Sequence, residues 1–356
     1  MALDRIILAT FRNHPATSLE GARKFNLLVG ENGAGKTNVL EALSLFAPGR
    51  GLRRAALAEM PLSTGSGGFA VGASLSGTDA EVRLGTYTEA AQPSRRLVRV
   101  NGAEASALAL GEWLALAWLT PAMDGLFTDS AGARRRWLDR MAVALDPLHA
   151  RAAARYDAAL RERNRLLAGE SVPDPVWLDG IEAQMTEAGS ALAAGRARLI
   201  EALAGELGAL PAEPFARPQL AYQSGGNPDP DAWRRGRASD RAAGRTLAGP
   251  HRDDLAVTMV GKAQPAALCS TGEQKAMLIA VTLAHAGLAA RGRASVLLLD
   301  EVAAHLDPVR RAALFERLAE HETQVWFTGT ETAPFEPIVG EAAIWRVNGG
   351  QVAALG

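Results

Sequence analysis

The stretch Gly30-Glu31-Asn32-Gly33-Ala34-Gly35-Lys36-Thr37 constrains the fold more than any other segment of this 356-residue chain. It has the spacing of a phosphate-binding loop, two glycines flanking four residues and then Lys-Thr. Before it stands the apolar run Phe25 to Val29. After it come Val39, Leu40, Leu43 and Phe46 at helical spacing, up to Pro48-Gly49. Strand, glycine-rich turn and helix in that order are what such a loop needs. The glycines let successive backbone N–H groups turn toward phosphate oxygens, and the helix start adds partial positive charge. Residues 30–37 are therefore expected to cradle ATP, with Lys36 bridging the β- and γ-phosphates and Thr37 binding Mg²⁺.

A second run, Ser295-Val-Leu-Leu-Leu-Asp300-Glu301, reads as a buried strand ending in two carboxylates. Asp300 is expected to hold Mg²⁺ through its water shell, and Glu301 to take a proton from the attacking water. Upstream, Cys269-Ser270-Thr-Gly-Glu-Gln274 opens a helix. Ser270 and Glu273 have the spacing of a capping box, so a plain cap explains them as well as a ligand role does.

A chain of this length exceeds one hydrophobic core, and with 48% hydrophobic and 22% charged residues it reads as globular. Residues 69–100 alternate polar and apolar with Gly and Asn-Gly punctuation, the pattern of meandering antiparallel strands. Residues 134–168 and 175–208 are rich in helix formers and predict two antiparallel helices, an arm of ~45 Å. From about Leu255 the order strand, helix, strand, helix predicts a parallel sheet covered by helices. The expected fold class is α/β, with residues 1–128 and 246–356 forming a discontinuous head of mixed sheets and residues 129–245 an inserted, mainly helical arm.

The N-terminal residues lack a signal-peptide core, and no run reaches the ~18 apolar residues of a membrane span. The single cysteine, Cys269, excludes an internal disulfide and fits a reducing compartment. A cytoplasmic protein without a membrane partner is the expectation. Net charge is -1, so attraction to nucleic acid must come from local patches. Two exist: nine Arg against four acids over residues 134–165, and six Arg against two Asp over 231–252. They read equally as solvated faces or as phosphate-binding surfaces. The tryptophans at 113, 118, 137, 177, 233, 326 and 345 read as core, Cys269 as a small buried hydrophobe, and Gly249-Pro-His251-Arg252-Asp-Asp254 as a positioning turn.

Taken together, the phosphate loop, the Ser270-x-Gly272 segment and the carboxylate-ended strand resemble the ABC-type ATPases. In that family two subunits sandwich two nucleotides, and the signature of one faces the γ-phosphate held by the other. The resemblance implies that Ser270, Gly272 and Gln274 form the signature and that Ala304-His305-Leu306-Asp307 forms the D-loop. It further implies an ATP-dependent homodimer in which Lys36, Asp300, Glu301 and Ser270 carry catalysis. It also implies that Arg12 and Asn13 touch nucleotide phosphates, as the equivalent segment does in relatives; by themselves these two read equally as plain surface residues.

Within that superfamily the chain is most specifically similar to the RecF family. The likeness is carried by Leu8-Ala-Thr-Phe11-Arg12-Asn13-His14, residues 30–42, Arg134-Arg-Arg-Trp-Leu-Asp139, Leu160 to Leu167, Gly249 to Leu255 and Leu268 to Lys275. It implies binding of duplex and gapped DNA, weak DNA-stimulated ATP hydrolysis, work beside RecR, RecO and RecA in recombinational repair and the SOS response, and DNA contact at Arg134, Arg135 and Arg136. No Gln stands at Trp118-Leu-Thr-Pro121 and no switch histidine at Phe327-Thr-Gly-Thr330. A transporter energy subunit is the alternative. The ~235 residues between Lys36 and Ser270 argue against it, since they leave room for an inserted arm.

Overall fold

The computed structural model describes residues 2–65, 67–77, 81–211, 213–290 and 292–355, without the side chain of His305, part of the expected D-loop. The chain opens with strands β1 (Ala2–Phe11), β2 (His14–Leu19) and β3 (Phe25–Val29), then helix α1 (Lys36–Ser44). Next come β4 (Phe69–Ser76), β5 (Val82–Glu89), β6 (Gln92–Val100), β7 (Ala103–Ala105), α2 (Ala107–Trp113) and β8 (Leu114–Leu119). The middle holds α3 (Ala131–Leu145), α4 (Leu148–Leu167), α5 (Pro175–Ala209), β9 (Pro218–Gln223), α6 (Pro230–Ala242), β10 (Asp254–Met259) and β11 (Gln264–Pro265). The remainder is α7 (Thr271–Ala289), β12 (Ala294–Leu299), α8 (Pro308–Glu320), β13 (Gln324–Gly329), α9 (Glu336–Val339), β14 (Ala342–Asn348) and β15 (Gln351–Leu355).

Two compact units share these elements, one of residues 1–124, 211–215 and 278–356, the other of residues 125–210 and 216–277. In the first, β3, β8, β12 and β13 are buried along their whole length, as strands covered on both faces must be. They form a sheet in the order β15-β14-β3-β13-β12-β8, parallel except for the β14–β15 hairpin. A second, antiparallel sheet runs β2-β1-β4-β5-β6-β7. Its strands β4 and β5 bury alternate residues, the signature of a sheet with one face on the core. Val39, Leu40 and Leu43 of α1 join apolar residues of both sheets in one core.

The second unit packs Tyr156 and Ala159 of α4 against Ile181, Met185, Ala188 and Leu192 of α5 and Trp233 of α6. The single helix expected over 134–168 is two. Pro147 cannot donate a backbone hydrogen bond and clashes with a continuing turn. The Asp146 carboxylate instead accepts from the Leu148 N–H at 2.9 Å and starts α4 afresh. Residues 246–277, assigned above to the head, group with the second unit because β10 pairs with β9 and β11 in a three-stranded antiparallel sheet. The parallel alternation thus begins at α7 and β12, later than Leu255. Trp177 departs from the core expectation: it stands on the first turn of α5 and is 56% exposed. Among the described residues, no helix is long and apolar enough to cross a membrane.

Candidate nucleotide site and signature helix

Because β3, β13 and β12 are parallel neighbours, the turns at their C-terminal ends lie side by side, the usual ligand-binding edge of an open α/β sheet. The glycine loop leaves β3, Asp300 and Glu301 follow β12, and Thr328 is the last residue but one of β13. Thr37 Oγ1 donates to Asp300 Oδ1 at 2.9 Å, and Thr328 Oγ1 donates to the same oxygen at 2.8 Å. Thr328 also accepts from the Glu301 N–H at 2.9 Å. Glu301 itself has φ 55°, a left-handed backbone that non-glycine residues adopt at a cost.

Lys36 folds back over the loop, its Nζ donating to the carbonyls of Gly30 at 2.5 Å and Glu31 at 2.9 Å. Burial lowers the pKa of its ammonium, opposed by the charges of Glu301 and Asp300. Burial pushes the Asp300 carboxyl up, countered by the hydrogen bonds from Thr328 and Thr37, while the Glu301 charge adds to the rise. Two adjacent carboxylates at a buried strand end suit a cation. Among the described residues no group of three or more His, Cys, Asp or Glu side chains forms a metal cage. One carboxylate and one hydroxyl suit Mg²⁺, which takes few protein ligands and fills its shell with water and phosphate.

Arg12 and Asn13, expected at the phosphates, make hydrogen bonds within the first unit. The Arg12 guanidinium grips the buried Glu41 of α1 with bonds of 2.9 and 2.7 Å and donates to the Glu59 carbonyl at 2.8 Å. Arg53 reaches the same carboxylate at 2.9 Å. Asn13 donates to the Ala34 carbonyl at 3.0 Å and accepts from Asn38 at 2.7 Å.

Ser270 lies in the second unit, at the start of α7, within a capping box. Its N–H and hydroxyl both reach Glu273 Oε2, at 2.9 and 3.0 Å, and the Glu273 N–H returns to Ser270 Oγ at 3.4 Å. Lys262 pairs with the other carboxylate oxygen. Lys262 and Ser270 together hold the Glu273 carboxyl at about 2. Gly272 has open space where a side chain would stand. Gln274 is buried and donates to the Cys269 carbonyl at 2.9 Å. Asp307 caps α8 by accepting from the Arg310 N–H at 2.9 Å.

The arginine clusters divide. Arg134 makes a two-bond pair with Asp254 at 2.8 and 2.7 Å. Arg135 donates to the Asp253 carbonyl at 2.5 Å. Arg136 is exposed. The 249–254 segment is structural: His251 Nε2 donates to the Thr246 carbonyl at 3.0 Å, leaving Nδ1 to accept from the Tyr156 hydroxyl at 2.9 Å. Thr328, the residue the sequence reading missed, carried no local signal.

The chain resembles known proteins along nearly its whole length. Residues 2–338 match the family model described as the RecF/RecN/SMC N terminal domain. A DNA replication and repair protein RecF of Mesorhizobium japonicum is 46% identical over 98% of this chain and 97% of its own. The RecF of Brucella suis is 46% identical over 100% and 97%. In fold the chain is similar to the recombination mediator protein RecF solved as RecF-ATPrS, at TM-score 0.86 and 22% identity over 99% of this chain and 98% of that one. A Pyrococcus furiosus Smc head domain is more distant, at TM-score 0.54 and 17% identity. The identity to two curated relatives and the span of the family model agree: the chain belongs to the RecF family of DNA replication and repair proteins.

Proposed function

We propose that the protein is an ATP-gated DNA clamp of recombinational repair: ATP binding closes a homodimer on duplex DNA near single-strand gaps, and slow, DNA-stimulated hydrolysis reopens it. The observation that carries this reading is the meeting of Lys36, Thr37, Asp300 and Thr328 where β3, β12 and β13 end. In it, residues 30–37 hold the triphosphate, Lys36 turns from the loop carbonyls to the β- and γ-phosphates, and Thr37 and Asp300 hold Mg²⁺. The metal supplies positive charge against the phosphates. Glu301 accepts the proton of the attacking water, and Asp300 and Thr328 hold its backbone in place. Ser270 and Gly272 of a second copy offer the start of α7 to the γ-phosphate, with Gln274 supporting that turn from within. Asp307 borders the same face. RecR, RecO and RecA are its partners in this reading, in the cytoplasm. The full-length match to RecF relatives disfavours a transporter subunit.

Sedimentation with and without ATP tests the gate. The parent should dimerise only with ATP, and Lys36→Ala should stay single; a parent that stays single with ATP overturns the clamp. Glu301→Gln should still dimerise while its turnover falls about 100-fold or more, and turnover at the parental rate would remove Glu301 as base. Gel shifts on duplex and gapped DNA then read the substrate class.

A further inference from the structure

Behind the phosphate loop, two turns from distant parts of the first unit converge. From the β1–β2 turn, Asn13 Nδ2 donates to the Ala34 carbonyl at 3.0 Å. The fully buried His14 places Nε2 at 3.1 Å from the Gly35 carbonyl and Nδ1 at 3.1 Å from Thr17 Oγ1. A carbonyl only accepts, so the ring carries its proton on Nε2. From the β14–β15 turn, the Gly350 N–H donates to the Ala34 carbonyl at 3.0 Å, and the Gly350 carbonyl lies 3.2 Å from Thr17 Oγ1, whose single proton it shares with His14 Nδ1.

The fit leaves no room for side chains. A Cβ on Gly350 would stand 1.8 Å from the Asn13 carbonyl oxygen, and one on Gly30 2.2 Å from the Val347 carbonyl oxygen. A Cβ on Gly35 would lie 2.7 Å from the Asn13 carboxamide and 2.9 Å from His14 Nε2.

These contacts set the direction of two peptide groups. Among the described residues the cis bond is Glu213–Pro214, so Ala34–Gly35 and Gly35–Lys36 are trans. In a trans peptide the C=O and N–H point opposite ways. Holding the Ala34 carbonyl against Asn13 and Gly350, and the Gly35 carbonyl against His14 beside the Asn38 and Val39 N–H groups of α1, turns the N–H groups of Gly35 and Lys36 to the other face. An anion cradled by the loop needs its donors on that face.

We propose that Asn13, His14, Thr17 and Gly350 are positioning residues of the nucleotide site, and that the terminal β14–β15 hairpin is thereby part of it. The inference rests on the nucleotide-binding reading above. Its test is the affinity of the full chain for a fluorescent ATP analogue, measured by anisotropy beside thermal unfolding without nucleotide. His14→Phe keeps a ring and loses both polar atoms, so affinity should fall about tenfold, roughly the worth of one hydrogen bond. His14→Gln keeps an N–H donor and should recover most of that loss. Thr17→Val, the milder change, should weaken binding about threefold with its unfolding temperature held, and it decides the matter if His14→Phe does not fold. A purely structural role would lower unfolding temperatures and leave affinity alone. Affinities of both variants within about twofold of the parent, with Lys36→Ala binding nothing, would overturn the inference alone. Parental binding by Lys36→Ala would remove the nucleotide reading and this inference together.

Discussion

In the first unit the fully buried Glu41 sits between Arg12 and Arg53, whose side chains are 20% and 41% exposed. In the second, the fully buried Arg163 sits between Glu182 and Asp240, themselves only 2% and 6% exposed. Arg163 also donates to Thr246 Oγ1 at 2.7 Å and to the Trp233 carbonyl at 3.2 Å. The signs are reversed, and so is the access to water. If Glu41 is lost, its two cations can turn outward and be hydrated. If Arg163 is lost, two carboxylates stay behind in the interior; Glu182 keeps Arg237, whose side chain is 21% exposed, and Asp240 keeps the Leu247 N–H and, among the described residues, no cation. Burial of the partners, more than the number of bonds, decides what a charge network is worth.

Arg163→Met breaks the more deeply buried network and should cost the most, about 4 kcal/mol in urea unfolding. Glu41→Gln should cost less, about 2 kcal/mol, because its arginines reach solvent. Equal losses would end the contrast. Nearer the surface, Arg134→Ala should cost about 1 kcal/mol through its pair with Asp254, which is 25% exposed. Arg136→Glu should leave stability unchanged and flatten the salt dependence of duplex binding by about one unit of slope; an unchanged slope would place the DNA surface elsewhere.

The smallest effect is a pH effect at Ser270. The folded Glu273 carboxyl lies near 2, below its ordinary value, so its contribution is present above the ordinary carboxyl range and is lost as pH falls toward 2. A carboxyl NMR titration should show the cap intact at pH 4, and Lys262→Ala should raise the midpoint.

The residues legible in the sequence were those whose chemistry is contiguous. Residues 30–37, the run into Asp300-Glu301 and the Ser270 cap each carry their neighbours with them, and all three stand on the expected strands and helices. What stayed hidden depends on distant pairing. Nothing local ties His14 to Gly350, Thr328 to Asp300, or Arg163 to Asp240. The arginine counts over 134–165 and 231–252 left two readings open for the same reason: counting does not show that Arg134, Arg155, Arg163, Arg165, Arg234 and Arg237 are engaged by carboxylates of the same unit. The break at Pro147 was readable and overlooked, since Ala and Arg on both sides outweighed one proline.

The order of strands in the parallel sheet also sets a timetable for the nascent chain. β3 emerges early but lies between β13 and β14, made about 300 residues later, a wait of ~15–60 s at ordinary translation speeds. Until then the glycine loop has neither its flanking strands nor the Gly350 turn at its back. A ribosome-bound fragment ending before residue 342 would carry the whole glycine loop sequence and lack the backing that shapes it.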